Sequence, residues 1–215
     1  AEEAIAACKA KITDVETKID AIGEVTLESA AAIEAAETAY AALTEAEKAD
    51  VSNAAKLTAA RTAYDKLVAD SATAGNVIAA IDEIGEVTLE SESKIAAAEA
   101  LYAALSDDQK ALVTNYDKLT AARAKYDALK ADKDAEDAFN AKVDAIGEVT
   151  LDSKAAIEDA EAAYAALTDT QKAAVADAKA KLDAARAKYD AMAALDAKAK
   201  PVREAIDAIG KVTLE

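Results

Sequence analysis

One hexapeptide is written four times along the chain, and its spacing constrains the fold more than any other feature. Ile22-Gly23-Glu24-Val25-Thr26-Leu27 recurs as Ile84 to Leu89 and as Ile146 to Leu151. It returns as Ile209 to Leu214 with Lys211 in place of the glutamate. The glycines are Gly23, Gly85, Gly147 and Gly210, so the period is 62, 62 and then 63 residues. A fixed period of this length marks an array of similar units, each unable to bury its apolar face alone.

Within one period the text is helical. Ile5, Cys8, Ile12, Val15, Ile19 and Ile22 step by 3 and 4 residues, a seam along one helix face. Gly23 follows the last seam residue, where a left-handed residue ends a helix without steric cost. Thr26 or Ser29 can then cap the next helix, which carries Ile33, Ala36, Tyr40 and Leu43. Thr44 with Glu47, Ser106 with Gln109 and Thr168 with Gln171 have the spacing of a capping box, and each starts a short helix. Asn53, Asn115 and Asp177 are placed to cap the helix after it. That helix carries Leu57, Ala60, Tyr64 and Leu67, with copies ending at Leu129 and Met192. The extra residue of the last period falls between Asp177 and Leu182.

After Leu67 the seam continues through Asp70, Ala74, Val77, Ile81 and Ile84, with one step of 3 where a heptad gives 4. That slip turns the apolar face toward new neighbours. The pattern predicts helices of roughly 30 residues, about 45 Å, each leaving one bundle and entering the next. Gly75-Asn76 and Pro201 lie just past the slips; an interrupted amide ladder is expected around Gly75-Asn76 and just before Pro201, with a kink or break near the proline. The predicted fold is all-α: an elongated tandem array of three-helix bundles linked through shared long helices. The units are 1–68, 69–131 and 132–195, with 196–215 opening a truncated fourth. A chain that starts inside a helical pattern and stops within a repeat is expected to be a piece of a larger protein.

The residue inventory narrows function. There is no histidine and one cysteine, Cys8. The commonest acid–base group and metal ligand near neutral pH is therefore missing, and no internal disulfide can close. A net charge of −17 opposes nucleic-acid phosphates and anionic membranes. No apolar run approaches the ~18 residues of a membrane span. Neither an enzyme nor a cofactor is expected, and the chain is expected to be a monomer. Cys8 falls in the seam and reads as a small apolar residue. Six of the seven tyrosines fall in the seams, one pair per repeat. Tyr116 belongs to one repeat only and is the candidate for an exposed partner contact, together with Lys118 and Leu112. Arg61, Arg123 and Arg186 occupy one matched position, suited to a bidentate ion pair with a neighbouring helix. Asp132, Asp134, Glu136 and Asp137 lack the glycine and terminal glutamate of a calcium loop and read as a solvated acidic face.

The array with shared helices resembles spectrin-type repeats in architecture. The wording is closer to another group. Ile84-Gly85-Glu86-Val87-Thr88-Leu89, Ala103-Ala104-Leu105-Ser106-Asp107-Asp108-Gln109-Lys110 and Leu119-Thr120-Ala121-Ala122-Arg123-Ala124-Lys125-Tyr126 resemble helical modules repeated in very large surface proteins of Gram-positive, often gut-dwelling, anaerobes. They are also similar to the found-in-various-architectures modules that accompany secreted glycosidases. The resemblance covers nearly the whole chain. The first repeat departs at Glu47, and the third replaces the Asn115-Tyr116 segment. The resemblance implies a secreted, wall-associated location and a spacer or adhesive role, with flanking domains of the same polypeptide as partners. A host protein such as an immunoglobulin or albumin is the partner under the adhesive alternative.

Overall fold

A computed structural model describes residues 2–209. These residues are all-helical, with ten α-helices and no strand among them. The chain divides into two compact units, Ala1–Arg123 and Ala124–Glu215.

In the first unit, α1 (Glu2–Asp20), α2 (Ala30–Ala41), the short α3 (Glu45–Ala49) and the first half of α4 (Ala54–Asp82) enclose one core. Val15, Ile19 and Ile22 meet Ile33, Ala36, Leu57 and Ala60 there. Ile33 and Ala36 are completely buried, and alanine at the second position lets the helix backbones approach. The second half of α4 buries Ala74, Val77 and Ile81, and it packs on α5 (Glu92–Ala103) and α6 (Asp107–Ala111). So α4 presents one apolar face before Asp70 and another after it, as the slip in its pattern requires. α7 (Tyr116–Ala145) contributes Leu119 and Ala122 to the buried residues of this unit.

The second unit repeats the arrangement. Phe139, Val143 and Ile146 at the end of α7 meet Ile157 and Ala160 of α8 (Lys154–Ala166) and Leu182 of α10 (Ala176–Ile209). The short α9 (Asp169–Ala174) precedes α10. The extra residue of this period is absorbed here. Val175 matches Val113 at a spacing of 62 and Leu182 matches Leu119 at 63. α10 starts three residues ahead of residue 179, the position matched to the start of α7 in the register of Leu119 and Leu182.

The corner between the long helix and the next uses the same glycine, threonine and serine contacts each time. Gly23, Gly85 and Gly147 have φ of +62°, +62° and +56°, the left-handed region that stops a helix. Thr26, Thr88 and Thr150 accept from the backbone N–H two residues on through Oγ1, and their own N–H donates to Ser29, Ser91 and Ser153 Oγ. Those serines are buried for that reason. The matching Gly210 lies outside the described residues.

Four expectations are corrected. Asn53 and Asn115 do not cap. Their Nδ2 groups reach 37 residues back along the chain and donate to the carbonyls of Glu16 and Ile78, each at 3.0 Å. The third-repeat counterpart, Asp177, lies inside α10. Gly75-Asn76 is uninterrupted helix, because Ala74 and Val77 on either side are anchored in the core. Pro201 likewise causes no break: α10 runs through it to Ile209. The carbonyl that loses its amide partner there belongs to Ala197, which is exposed and within reach of water. Finally, Ile5 is 56 % exposed despite its place in the seam. No helix precedes α1 among the described residues, so nothing covers that end. Val202, Ile206 and Ile209 are exposed for a parallel reason. They match the buried Val77, Ile81 and Ile84, but no helix follows them among the described residues.

Candidate functional site

Three polar stations recur at matched positions. The first is the capping box of each short helix. Thr44, Ser106 and Thr168 accept from the N–H of Glu47, Gln109 and Gln171, whose side chains accept in turn from the cap backbone. In the second and third repeats the glutamine also uses its other end. Gln109 Nε2 donates to Asp70 at 2.8 Å, and Gln171 Nε2 donates to Asp132 at 2.7 Å. This explains why the slip positions carry aspartate: one amide satisfies a helix terminus and a carboxylate on the long helix at once. Lys66 also holds Asp70, at 2.7 Å, and its ammonium with Gln109 keeps that carboxyl below the usual range.

The first repeat solves the same station differently. Cys8 stands where Asp70 and Asp132 stand, and Glu47 where the glutamines stand. A carboxylate facing a carboxylate would repel, and here both partners have changed. Glu47 accepts from Thr44 N at 2.8 Å and from its hydroxyl at 2.9 Å, and Lys11 lies 3.6 Å away. Cys8 is half-buried rather than fully enclosed in the seam. Desolvation, and then its hydrogen bond to Glu47, push the thiol above its ordinary value. That direction makes Cys8 a poor nucleophile.

The second station is the arginine. Arg61 grips Glu37 with Nε and Nη2 at 2.8 and 2.6 Å, Arg123 grips Glu99 at 2.8 and 2.7 Å, and Arg186 grips Glu161 at 2.7 and 2.5 Å. All three are the bidentate pairs between helices that the matched position suggested. The guanidinium hydrogen bonds hold all three glutamate carboxyls below their usual range. A lowered folded-state value stabilises the fold fully above the unfolded carboxylate range, about 4.3. The contribution is lost as pH falls through the folded value. The stability difference between the wild-type chain and Arg123→Gln is therefore expected to be largest at neutral pH. It should shrink as pH is lowered below about 4, as read from urea midpoints at pH 7 and pH 3.

The third station includes one of the candidate contacts. Lys118 pairs with Asp82 at 2.8 Å, as Lys56 pairs with Asp20 at 2.9 Å and Lys181 lies 3.7 Å from Asp144. Tyr116 is 38 % exposed, but its ring stacks on Tyr102, with centroids 4.0 Å apart and planes inclined by 18°. Leu112 is the half-buried residue that closes α6. Tyr116, Lys118 and Leu112 thus sit close together in sequence, with the tyrosine and the lysine each engaged by a neighbour within the first unit.

The acidic stretch after Ala131 disperses. Asp132 accepts from Gln171, Asp134 pairs with Lys130 at 2.7 Å, and Asp137 pairs with Lys133. No group of three or more histidine, cysteine, aspartate or glutamate side chains converges on a cation position among the described residues. No helix among them is long and apolar enough to cross a membrane. Comparison with family models, with curated proteins and with solved structures finds no match to this chain.

Proposed function

We propose that the chain is a run of spacer repeats in a secreted, cell-surface protein of a Gram-positive bacterium, holding functional domains away from the wall. On this reading the helices form an elongated tandem array of three-helix bundles, with units at 1–68, 69–131 and 132–195 and a fourth beginning at 196. Long helices shared between neighbours would convert sequence into distance, roughly 30–35 Å per repeat from the helix rise. The observation that carries the reading is the conservation of purely structural chemistry from copy to copy. Corner glycine, capping box, arginine–glutamate pair and lysine–aspartate pair all recur, and each joins elements of the fold. The high negative charge would keep neighbouring stalks soluble and apart. The surface location rests on the resemblance of the repeat text.

The second reading is an adhesin-like module, favoured by one observation: the exposed ring of Tyr116, present in a single repeat. Passing serum and mucin extracts over immobilised chain separates the two. A spacer predicts flow-through without selective retention. Specific retention of a serum protein such as immunoglobulin or albumin, lost in Tyr116→Ala, would replace the spacer reading with the adhesin.

A further inference from the structure

The three repeats treat one tyrosine face in three ways. Tyr40, Tyr102 and Tyr164 are matched, and so are residues 54, 116 and 179, which open the following helix. In the second repeat residue 116 is tyrosine, and its ring covers Tyr102 at 4.0 Å. In the third it is Lys179, whose ammonium lies 5.0 Å from the Tyr164 centroid and is tethered by Asp183 at 2.6 Å. In the first it is Ala54, which has no group to reach the ring. An open surface groove of about 470 Å³ lies there instead, lined by Tyr40, Ala54, Leu57, Thr58, Arg61 and Glu37.

We propose that this groove is a docking site for a tyrosine side chain of a partner polypeptide, stacking on Tyr40 as Tyr116 stacks on Tyr102. The second repeat supplies the template for the occupant. A cation is disfavoured, because Thr58 stands where Asp183 tethers the lysine in the third repeat. The Glu37 carboxylate is already taken by Arg61. Lys48 lies 5.9 Å from the Tyr40 centroid, and Lys110 lies 5.9 Å from that of Tyr102 while Tyr116 stacks on it. The lysine therefore leaves room for a ring. The site would serve either reading of the protein and does not depend on the spacer assignment.

The test is an NMR titration of the full chain with N-acetyl-tyrosinamide, with N-acetyl-leucinamide as the aliphatic control. Saturable shifts are expected at Ala54, Ala55 and Thr58, with a dissociation constant on the order of millimolar, and the leucine derivative should bind more weakly. Ala54→Tyr supplies the ring internally, in a fold that already accepts tyrosine at Tyr116, and should abolish those shifts. Tyr116→Ala should open a second site over Tyr102. Shifts spread evenly over the repeats, equal binding of both derivatives, or binding that survives Ala54→Tyr would each overturn the proposal.

Discussion

Phe139→Ala is expected to destabilise the second unit by about 3–5 kcal/mol, the cost of emptying a large buried aromatic site. Phe139 is 1 % exposed, and its ring lies 5.5 Å from that of Tyr164 at an angle of 51°. It stands where the other repeats carry Val15 and Val77, so this core has been built around a larger side chain. Glu136 of the same helix explains the exchange in part. It replaces the completely enclosed Ala74 of the second repeat, and a carboxylate cannot fill apolar volume. Phe139→Val should therefore cost less than Phe139→Ala but more than nothing, because the surrounding side chains are not those of the valine repeats. Native-state hydrogen exchange reads the effect where it arises. Protection in α8 should fall by the full amount while that in α2 stays unchanged. A loss below about 1 kcal/mol would mean that Phe139 does not anchor this core.

Gln171→Glu is the second substitution with a large expected effect, and it carries a signature in pH. The amide now spans the cap of α9 and the Asp132 carboxylate while itself buried to 8 % exposure. A glutamate keeps the cap but loses the donor to Asp132, a bond to a charged group worth about 1.5–3 kcal/mol. It also sets two carboxylates against each other, which raises the folded-state pKa of the pair above the unfolded values. The folded state then binds more protons than the unfolded one, so the variant's deficit grows as pH rises through that range and disappears as pH falls below it. Adding Asp132→Cys should restore much of the stability at pH 7, because it recreates the pairing of Cys8 with Glu47 in the first repeat. A double-mutant cycle with no coupling between positions 132 and 171 would show that the two stations are independent.

What could be read from the residues divides by the range over which the chemistry acts. The helix seams were legible at Val15, Ile19 and Ile22, because burial on one face imposes a local period. The capping boxes were legible because donor and acceptor lie three residues apart. The arginine–glutamate pairs were legible as a type of interaction, since one arginine among lysines at a matched position suggests a fork that needs a carboxylate. The partner glutamates Glu37, Glu99 and Glu161 also recur at the period, but at 24 or 25 residues from the arginines no local spacing links them to those arginines. Asn53 and Asn115 depart from the local rule for the same reason: an asparagine before a helix is an N-cap by local rules, but its amide is drawn to a carbonyl of another helix. Asp70 and Asp132 looked like gaps in the seam until the glutamines 39 residues on were placed beside them. Of the kink or break expected near Pro201, the break does not occur. The intrinsic cost of one missing hydrogen bond is not enough to end the helix at an exposed position between Lys200 and Val202. For the candidate contact, sequence singled out Tyr116 by its rarity. The complementary feature, Ala54 where Tyr116 and Lys179 reach their tyrosines, is visible only when the matched positions are compared for what is missing.

Small-angle scattering of the chain and of a variant lacking residues 85–146, one full period of 62, tests the central claim most directly. An array of linked bundles predicts a maximum dimension of roughly 100 Å or more and a radius of gyration near 30 Å, both from helix rise. Removing one period should shorten the maximum dimension by roughly 30–35 Å and leave the cross-section unchanged. A radius of gyration of about 17 Å, the value for a compact domain of this length, would contradict the spacer account.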